Sequence, residues 1–135
     1  MSRSQTVIDL LARGDAGATA ISAPGRPDLS YGALRDQVSA TITALNALGA
    51  GRDDAVAIVL PNGPEMAVAF IAIAAAATTA PLNPGYTAGE FGFYLQDLGA
   101  RLLVVEEASS SPAVPVAREL GIPVAELVVP AGAAA

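Results

Sequence analysis

The sequence contains no cysteine, histidine, tryptophan or lysine, and each absence excludes a class of chemistry. Without cysteine there is no disulfide framework, thiol nucleophile or thiolate metal site. Without histidine the chain lacks the commonest general base and metal ligand. Without lysine it has neither a Walker A phosphate loop nor a Schiff-base amine. Carboxylates, hydroxyls, arginines and backbone amides remain, so the chain is poorly equipped to catalyse a reaction alone.

Positive charge is also scarce. The sequence has 7 basic residues, all arginine, and 13 acidic residues, which gives a net charge of −6 and a pI near 4.3. A nucleic-acid surface needs a basic patch, so this balance argues against a nucleic-acid partner. Hydrophobic residues make up 53% of the chain and charged residues 15%, which disfavours disorder. A length of 135 residues fits one domain or part of one.

Neither a signal peptide nor a membrane span is predicted. Asp9 and Arg13 interrupt the only candidate for the apolar core of a signal peptide. The longest apolar run, residues 66–80, is rich in alanine, contains Thr78 and Thr79, and is too short for a confident span. We therefore expect a cytoplasmic location and no membrane span.

The first part of the chain predicts a helix followed by a hairpin. Ser4 is a candidate N-cap for a helix through Arg13, which Gly14 ends. Residues 18–23 and 29–31 are candidate strands on either side of a turn rich in proline and glycine.

From residue 32 onward the pattern alternates between helices and strands. The spacing of apolar residues predicts a helix with one apolar stripe, formed by Leu34, Val38, Ile42, Leu45 and Leu48. The charged and amide side chains of residues 35–37 are expected to face solvent. Further helices are expected over 65–76, from a Thr87–Glu90 capping box to residue 98, and over 113–120; strands are expected over 55–60, 78–82, 102–105 and 122–129. Such alternation predicts a parallel sheet with helices on its faces. The fold class is therefore α/β, with a mostly parallel sheet and flanking helices.

Two acidic or glycine-rich motifs have both a functional and a structural interpretation. Residues 49–54 begin like the dinucleotide motif G-x-G-x-x-G, but they lack the third glycine and follow a helix instead of a strand. We favour a helix-to-strand turn. The pairs Asp53–Asp54 and Glu106–Glu107 offer oxygen ligands for Mg²⁺ or Ca²⁺. Adjacent residues of an extended chain point apart, so we favour solvated turn charges.

Hydroxyl-rich, aromatic and alanine-rich segments also leave alternatives. Residues 109–112 suit an anion-binding loop, or, as we prefer, a loop ending in a helix cap. Tyr86, Phe91, Phe93 and Tyr94 suit an acyl pocket. The i, i+3, i+4 spacing of Phe91, Tyr94 and Leu95 suits a core stripe, which we prefer. The alanine-rich helix over 66–76 suits a partner surface, or tight packing inside a larger domain. We assign no catalytic, cofactor-binding or metal residue to this chain.

Strings spread over nearly the whole chain resemble one enzyme family. They are LSYGAL (29–34), LGAG (48–51) with DAVA (54–57), LPNGPE (60–65), APLNP (80–84), and Glu90 followed by LGAR (98–101). In this order they resemble the N-terminal part of AMP-forming acyl-CoA synthetases, the adenylating superfamily. Residues 77–95 are most similar to oxalate–CoA ligases and their fatty-acid-ligase-like relatives.

The resemblance implies a reaction in two steps and an incomplete enzyme. A carboxylate and ATP form an acyl-adenylate and pyrophosphate with Mg²⁺, and CoA then displaces AMP to give acyl-CoA. The family's phosphate loop, adenine site, ribose ligand and catalytic lysine lie beyond the matched region. The resemblance therefore implies that residues 1–129 are part of the N-terminal α/β subdomain of the synthetase large domain, that 130–135 are a tail or truncation point, and that this segment alone binds neither ATP, Mg²⁺ nor CoA and is inactive.

Two positions depart from the family pattern. Gly85 replaces a residue that is often basic in relatives and in some helps to bind CoA phosphates, so that role is not carried over. Ala33 replaces a frequent glutamate that would complete a capping box with Ser30.

The expected partner is the remainder of the same enzyme. A half-domain leaves a sheet edge and an apolar helix face uncovered, so self-association is also expected. The alternative is a stand-alone flavodoxin-like binding module or a dimerisation module. A binding module would need a phosphate loop at residues 61–64, where two prolines remove amide donors.

Overall fold

A four-stranded parallel sheet organises the fold. The computed structural model describes residues 6–135. The elements are, in chain order, α1 (Val7–Leu11), β1 (Thr19–Ile21), β2 (Leu29–Ser30), α2 (Tyr31–Ala47), β3 (Ala55–Val59), α3 (Pro64–Ala76), β4 (Thr78–Pro81), α4 (Ala88–Asp97), β5 (Leu102–Glu106), α5 (Ala113–Glu119) and β6 (Val124–Leu127). Strands β1 and β2 form a small antiparallel hairpin, and the large sheet has the order β4-β3-β5-β6. The predicted α/β class with a mostly parallel sheet is confirmed.

The two central strands are apolar because both of their faces are covered. Val56 pairs with Leu102 and Val59 with Val105, so β3 and β5 run in register through the middle of the sheet. The side chains from Val56 to Leu60 are all buried, as are those from Leu102 to Val105. Uninterrupted apolar runs of this kind are typical of parallel strands with helices on both faces.

Two separate cores lie on the two faces of the sheet. On one face α2 and α3 pack over Val56, Ile58 and Val104. On the other face α4 and α5 pack over β3 and β5, with Phe91 and Leu95 completely buried. Complete burial of a phenylalanine side chain contributes about 1.5–3 kcal/mol, so Phe91 anchors α4 to the sheet.

Caps within a few residues define where the helices begin. The Ser30 hydroxyl accepts a hydrogen bond from the Ala33 amide at 3.2 Å. At the start of α4, Thr87 and Glu90 form the predicted capping box, with the Thr87 amide donating to the Glu90 carboxylate at 2.7 Å. These short-range bonds satisfy amides that the first helical turn leaves free, and they confirm both predicted N-caps.

The helix stripe of α2 is confirmed in its centre and wrong at two positions. Leu34, Val38 and Leu45 are buried, but Leu48 is 52% exposed because the helix ends at Ala47. The prediction that Arg35 faces solvent is wrong. One of its terminal nitrogens donates to the carbonyl oxygens of Leu11 and Gly14, both at 2.8 Å. Arg35 therefore satisfies carbonyls at the end of α1 and ties that helix to α2.

Predictions at the two ends of the chain are less accurate. Ser4 lies outside the described residues; the described helix α1 starts after Thr6, which caps it together with Asp9, and ends at Leu11 instead of Arg13. The last strand was expected over 122–129, but it spans only four residues, because these are the ones that pair with β5.

Candidate functional site

The edge where parallel strands end is the usual place for a ligand in this fold class. Ligands bind there at the point where successive connections leave toward opposite faces of the sheet. Here that point lies between β3 and β5, because β3 leads into α3 on one face and β5 leads into α5 on the other. The loops that meet at this point are residues 60–63 and 107–112.

The loop after β3 offers little for binding a ligand. Residues 61–63 are exposed, and Pro61 and Pro64 carry no amide hydrogen. Gly63 precedes α3 without a side-chain cap, and its carbonyl accepts from the Ala67 amide at 3.2 Å. No charged side chain is contributed by residues 60–63 themselves.

The loop after β5 uses its hydroxyls within the loop. Ser109 accepts a hydrogen bond from the Ser111 amide at 3.2 Å, and Ser111 accepts from the Ala113 amide at 3.1 Å. Ser111 therefore supports the start of α5, in agreement with the preferred interpretation of residues 109–112. Ala108 has a φ of 54°, a left-handed conformation that a residue with a Cβ seldom adopts.

Residues 49–54 form a turn, whereas in the second acidic pair Glu106 is the last residue of β5, Glu107 follows it, and both are exposed. Gly49 has a φ of 85° directly after α2, and the Gly51 amide donates to the Asp54 carboxylate at 2.8 Å. Residues 49–54 thus form the predicted helix-to-strand turn. Within the part of the chain that the structure describes, no group of three or more acidic side chains is placed to hold a metal ion.

The aromatic residues divide between the core and the surface. Phe91 is buried, whereas Phe93 is 64% exposed on the far side of α4. Tyr86 stacks on Tyr94 with their ring centroids 5.0 Å apart. Hydrogen bonding with the Tyr94 side chain, followed by desolvation, raises the pKa of the Tyr86 hydroxyl. Of the predicted stripe of Phe91, Tyr94 and Leu95, Phe91 and Leu95 are completely buried and Tyr94 is partly buried.

An open apolar groove lies beside one face of the sheet. It has a volume of about 670 Å³ and runs between α2, α3, β6 and residues 128–135. Ala125 and Leu127 of β6 point into it, next to Val104 of β5. The exposed Leu48 lines the same groove from α2.

One end of the groove carries its main charges. The Arg26 guanidinium, from the turn between β1 and β2, forms an ion pair with the Glu65 carboxylate at the start of α3. Each side chain is about a quarter to a third exposed, with values of 26% and 30%. The hydrogen bond from Arg26 holds the pKa of Glu65 below its usual value. The sequence gives no signal for this pair, since 39 residues separate its members.

The site therefore has the chemistry of a packing surface. Among residues 6–135 no charged or polar residue is buried, and the groove contains no arrangement of nucleophile and base. None of the helices in the same range combines the length and apolar character needed to cross a bilayer. An apolar groove with one ion pair at its end suits contact with another protein segment.

Comparison with known proteins identifies the chain's relatives. Residues 10–134 match the family model described as AMP-binding enzyme. The chain belongs to the AMP-binding enzyme family. The matched range covers the hairpin, the parallel sheet and all of the helices after α1. The resemblance stated from the sequence is confirmed.

Several CoA ligases are similar to this member of the AMP-binding family. The chain is 38% identical over 105 residues to the oxalate–CoA ligase of Arabidopsis thaliana, covering 76% of this chain and 20% of that protein. It is 37% identical over 114 residues to the probable CoA ligase CCL9 of Humulus lupulus, covering 84% and 22%. The chain thus spans about a fifth of the length of these curated relatives.

Solved structures share the fold. The crystal structure of apo MatB from Rhodopseudomonas palustris superposes with a TM-score of 0.77 at 23% identity, covering 88% of this chain and 24% of that one. The N-terminal subdomain of NpsA from Klebsiella oxytoca, solved with 3-hydroxybenzoyl-AMSN, gives a TM-score of 0.69 at 22% identity and covers 89% and 29%. The chain therefore has the same fold as the matched parts of these structures.

Proposed function

We propose that this chain is the N-terminal part of an AMP-forming acyl-CoA synthetase. In that reaction a carboxylate attacks ATP to give an acyl-adenylate and pyrophosphate, and the CoA thiol then displaces AMP. The observation that carries the proposal is the family match over residues 10–134, together with CoA ligase relatives 37–38% identical. Similarity of residues 77–95 to oxalate–CoA ligases favours an enzyme of that subgroup.

The segment's own contribution is structural. Transfer of an adenylyl group needs cations that neutralise the phosphates and donors placed against the developing charge. Two of the chain's arginines are engaged elsewhere, Arg26 with Glu65 and Arg35 with the carbonyls at the end of α1. We therefore assign ATP, Mg²⁺ and CoA to other parts of the enzyme, and no step of catalysis to residues 1–135.

Nucleotide binding tests the claim that the segment is inactive alone. Isothermal titration of the 135-residue chain with ATP and Mg²⁺, and separately with CoA, is expected to show no saturable heat. Micromolar binding of ATP would contradict the proposal. The matched control is the whole cellular protein that carries this segment, which is expected to release AMP and form acyl-CoA.

The cellular form of the protein tests its membership of a larger enzyme. An antibody to this segment is expected to recover a cytoplasmic protein whose intact mass is several times 13.4 kDa. A recovered mass of 13.4 kDa would favour the alternative, a stand-alone binding or dimerisation module. That alternative has less support, because Pro61 and Pro64 remove amide donors from the loop that a phosphate-binding module would use.

The proposed partner is the remainder of the enzyme, packed into the groove and along the edge of β6. In the isolated chain the same apolar surface is expected to cause self-association. Val128 and Leu48 are both more than half exposed beside the groove. Exposed apolar patches next to an unpaired strand edge are the usual cause of such contacts.

A further inference from the structure

Residues 128–135 cross one end of the groove, and their hydrogen bonds to the rest of the described chain lie at Arg26 and Pro27. Arg26 donates from Nη2 to the Ala134 carbonyl at 2.6 Å and from Nε to the Ala133 carbonyl at 3.4 Å. The Ala135 amide donates to the Pro27 carbonyl at 2.8 Å. Ala135 itself is only 4% exposed, so the segment is seated at this point.

The rest of the segment is loosely attached. Val128 and Val129 remain exposed although both are apolar, and residues 130–132 are exposed as well. The Ala133 amide bonds to Pro130 within the segment's own turn. The hydrogen bonds between this segment and the rest of the described chain are therefore concentrated at Arg26 and its neighbour Pro27.

Arg26 is fixed in turn by α3. The Glu65 carboxylate pairs with Nη1 of Arg26, which leaves Nε and Nη2 directed at the two carbonyls. The planar guanidinium of arginine carries several N–H donors, so it can bind a carboxylate and carbonyl groups at the same time. The ammonium group of lysine lacks this planar arrangement of donors. The hairpin turn, α3 and residues 133–135 therefore meet at one side chain.

We propose that residues 128–135 are a releasable strap over the groove, with Arg26 as its latch. When the hydrogen bonds from Arg26 to the strap break, the strap moves away from the groove and exposes Ala125 and Leu127. Few hydrogen bonds to the rest of the chain and a run of exposed residues, here 128–132, are features of a segment that opens locally while the core stays folded. The strap is a property of this chain and does not depend on the proposed ligase activity.

Amide hydrogen exchange tests the latch. In Arg26→Ala the Ala135 amide is expected to exchange at least about tenfold faster than in the unchanged chain, while the Val104 amide in β5 keeps its rate. Arg118→Ala is the matched control, since Arg118 is an exposed arginine at the end of α5 on the other face of the sheet. It is expected to change neither rate by more than about twofold.

A second variant and a second readout separate release from unfolding. Arg26→Lys keeps the positive charge beside Glu65 but loses the planar set of donors of the guanidinium. The exchange rate of its Ala135 amide should therefore lie between the rates of the unchanged chain and of Arg26→Ala. The probe 1-anilinonaphthalene-8-sulfonate is expected to fluoresce more strongly with Arg26→Ala than with Arg118→Ala. The proposal is overturned if the Ala135 rate stays unchanged in Arg26→Ala, or if Ala135 and Val104 accelerate together in both Arg26 variants.

Discussion

Ala108 is the residue whose backbone conformation fits its side chain least well. The left-handed region costs an L-residue about 1–2 kcal/mol, and glycine avoids that cost in exchange for about 0.5–1 kcal/mol of backbone entropy. We expect Ala108→Gly to raise the free energy of unfolding by up to about 1 kcal/mol in urea denaturation.

A helical alanine supplies the control for Ala108. Ala40 is exposed within α2, where glycine is unfavourable, so Ala40→Gly is expected to lower the free energy of unfolding by about 1 kcal/mol. Opposite signs for the two alanine-to-glycine changes would support strain at Ala108. A loss of stability in both variants would refute it.

The ion pair of Glu65 makes part of the stability depend on pH. Because its pKa in the folded chain is lowered from 4.5, the ionised carboxylate stabilises the fold above that pH, and the contribution disappears as pH falls through the lowered value. At pH 7 Glu65→Gln should cost about 0.2–1 kcal/mol, since the pair is partly exposed and screened.

Denaturation at several pH values checks this dependence. The stability difference between Glu65→Gln and the unchanged chain should shrink steadily below pH 4.5. Glu119→Gln, at the exposed end of α5, serves as the control. A difference that persists in acid would assign the effect of Glu65→Gln to packing instead of charge.

At the scale of elements, one arginine joins the first helix to the rest. Loss of the two hydrogen bonds from Arg35 should leave the Leu11 and Gly14 carbonyls without their donor. We expect Arg35→Ala to cost about 1 kcal/mol, the lower end for a charged donor because the side chain is only partly buried. The loss of stability should be confined mainly to α1.

Exchange at single amides locates the effect of Arg35. The Leu10 and Ala12 amides of α1, which bond to Thr6 and Ile8, should exchange faster in Arg35→Ala, while β5 is unaffected. Arg52→Ala, in the exposed turn before β3, provides the comparison. Equal acceleration in α1 and β5 would mean that Arg35 stabilises the whole fold and has no local role.

Sequence patterns predicted the elements whose causes are local. The Ser30 and Thr87 caps involve residues three positions apart, and the apolar runs of β3 and β5 reflect burial on both faces. The contacts of Arg35 and Arg26 were not predicted, because their partners lie 21 to 108 residues away. The length of β6 depends on pairing with β5, which an apolar run alone does not reveal.

The candidate site was harder to predict than the fold. Its groove is formed by residues from α2, α3, β6 and the segment after β6, whose proximity follows only from the strand order. The motifs that look chemical in the sequence, such as residues 49–54 and 109–112, are turns and caps in the structure. The resemblance to a known family predicted the family to which the chain belongs, which motifs of this kind could not do.

At the scale of the whole molecule, the open groove predicts association that depends on protein concentration. A charge placed at its rim should weaken contact between copies, so Val128→Lys is expected to raise the dissociation constant by about tenfold in sedimentation velocity. Leu120→Lys places the same charge after α5, away from the groove. Equal effects of both variants, or monomers throughout the concentration series, would contradict association through the groove.

The strand order β4-β3-β5-β6 also governs how the sheet is assembled during synthesis. The middle strand β3 leaves the ribosome first and finds β4 only after α3 has emerged, because parallel neighbours need a crossover between them. Its other side stays bare until β5 arrives some 47 residues later, from Ala55 to Leu102. A nascent chain paused between these strands therefore displays an unpaired apolar strand, which is the kind of segment that chaperones recognise.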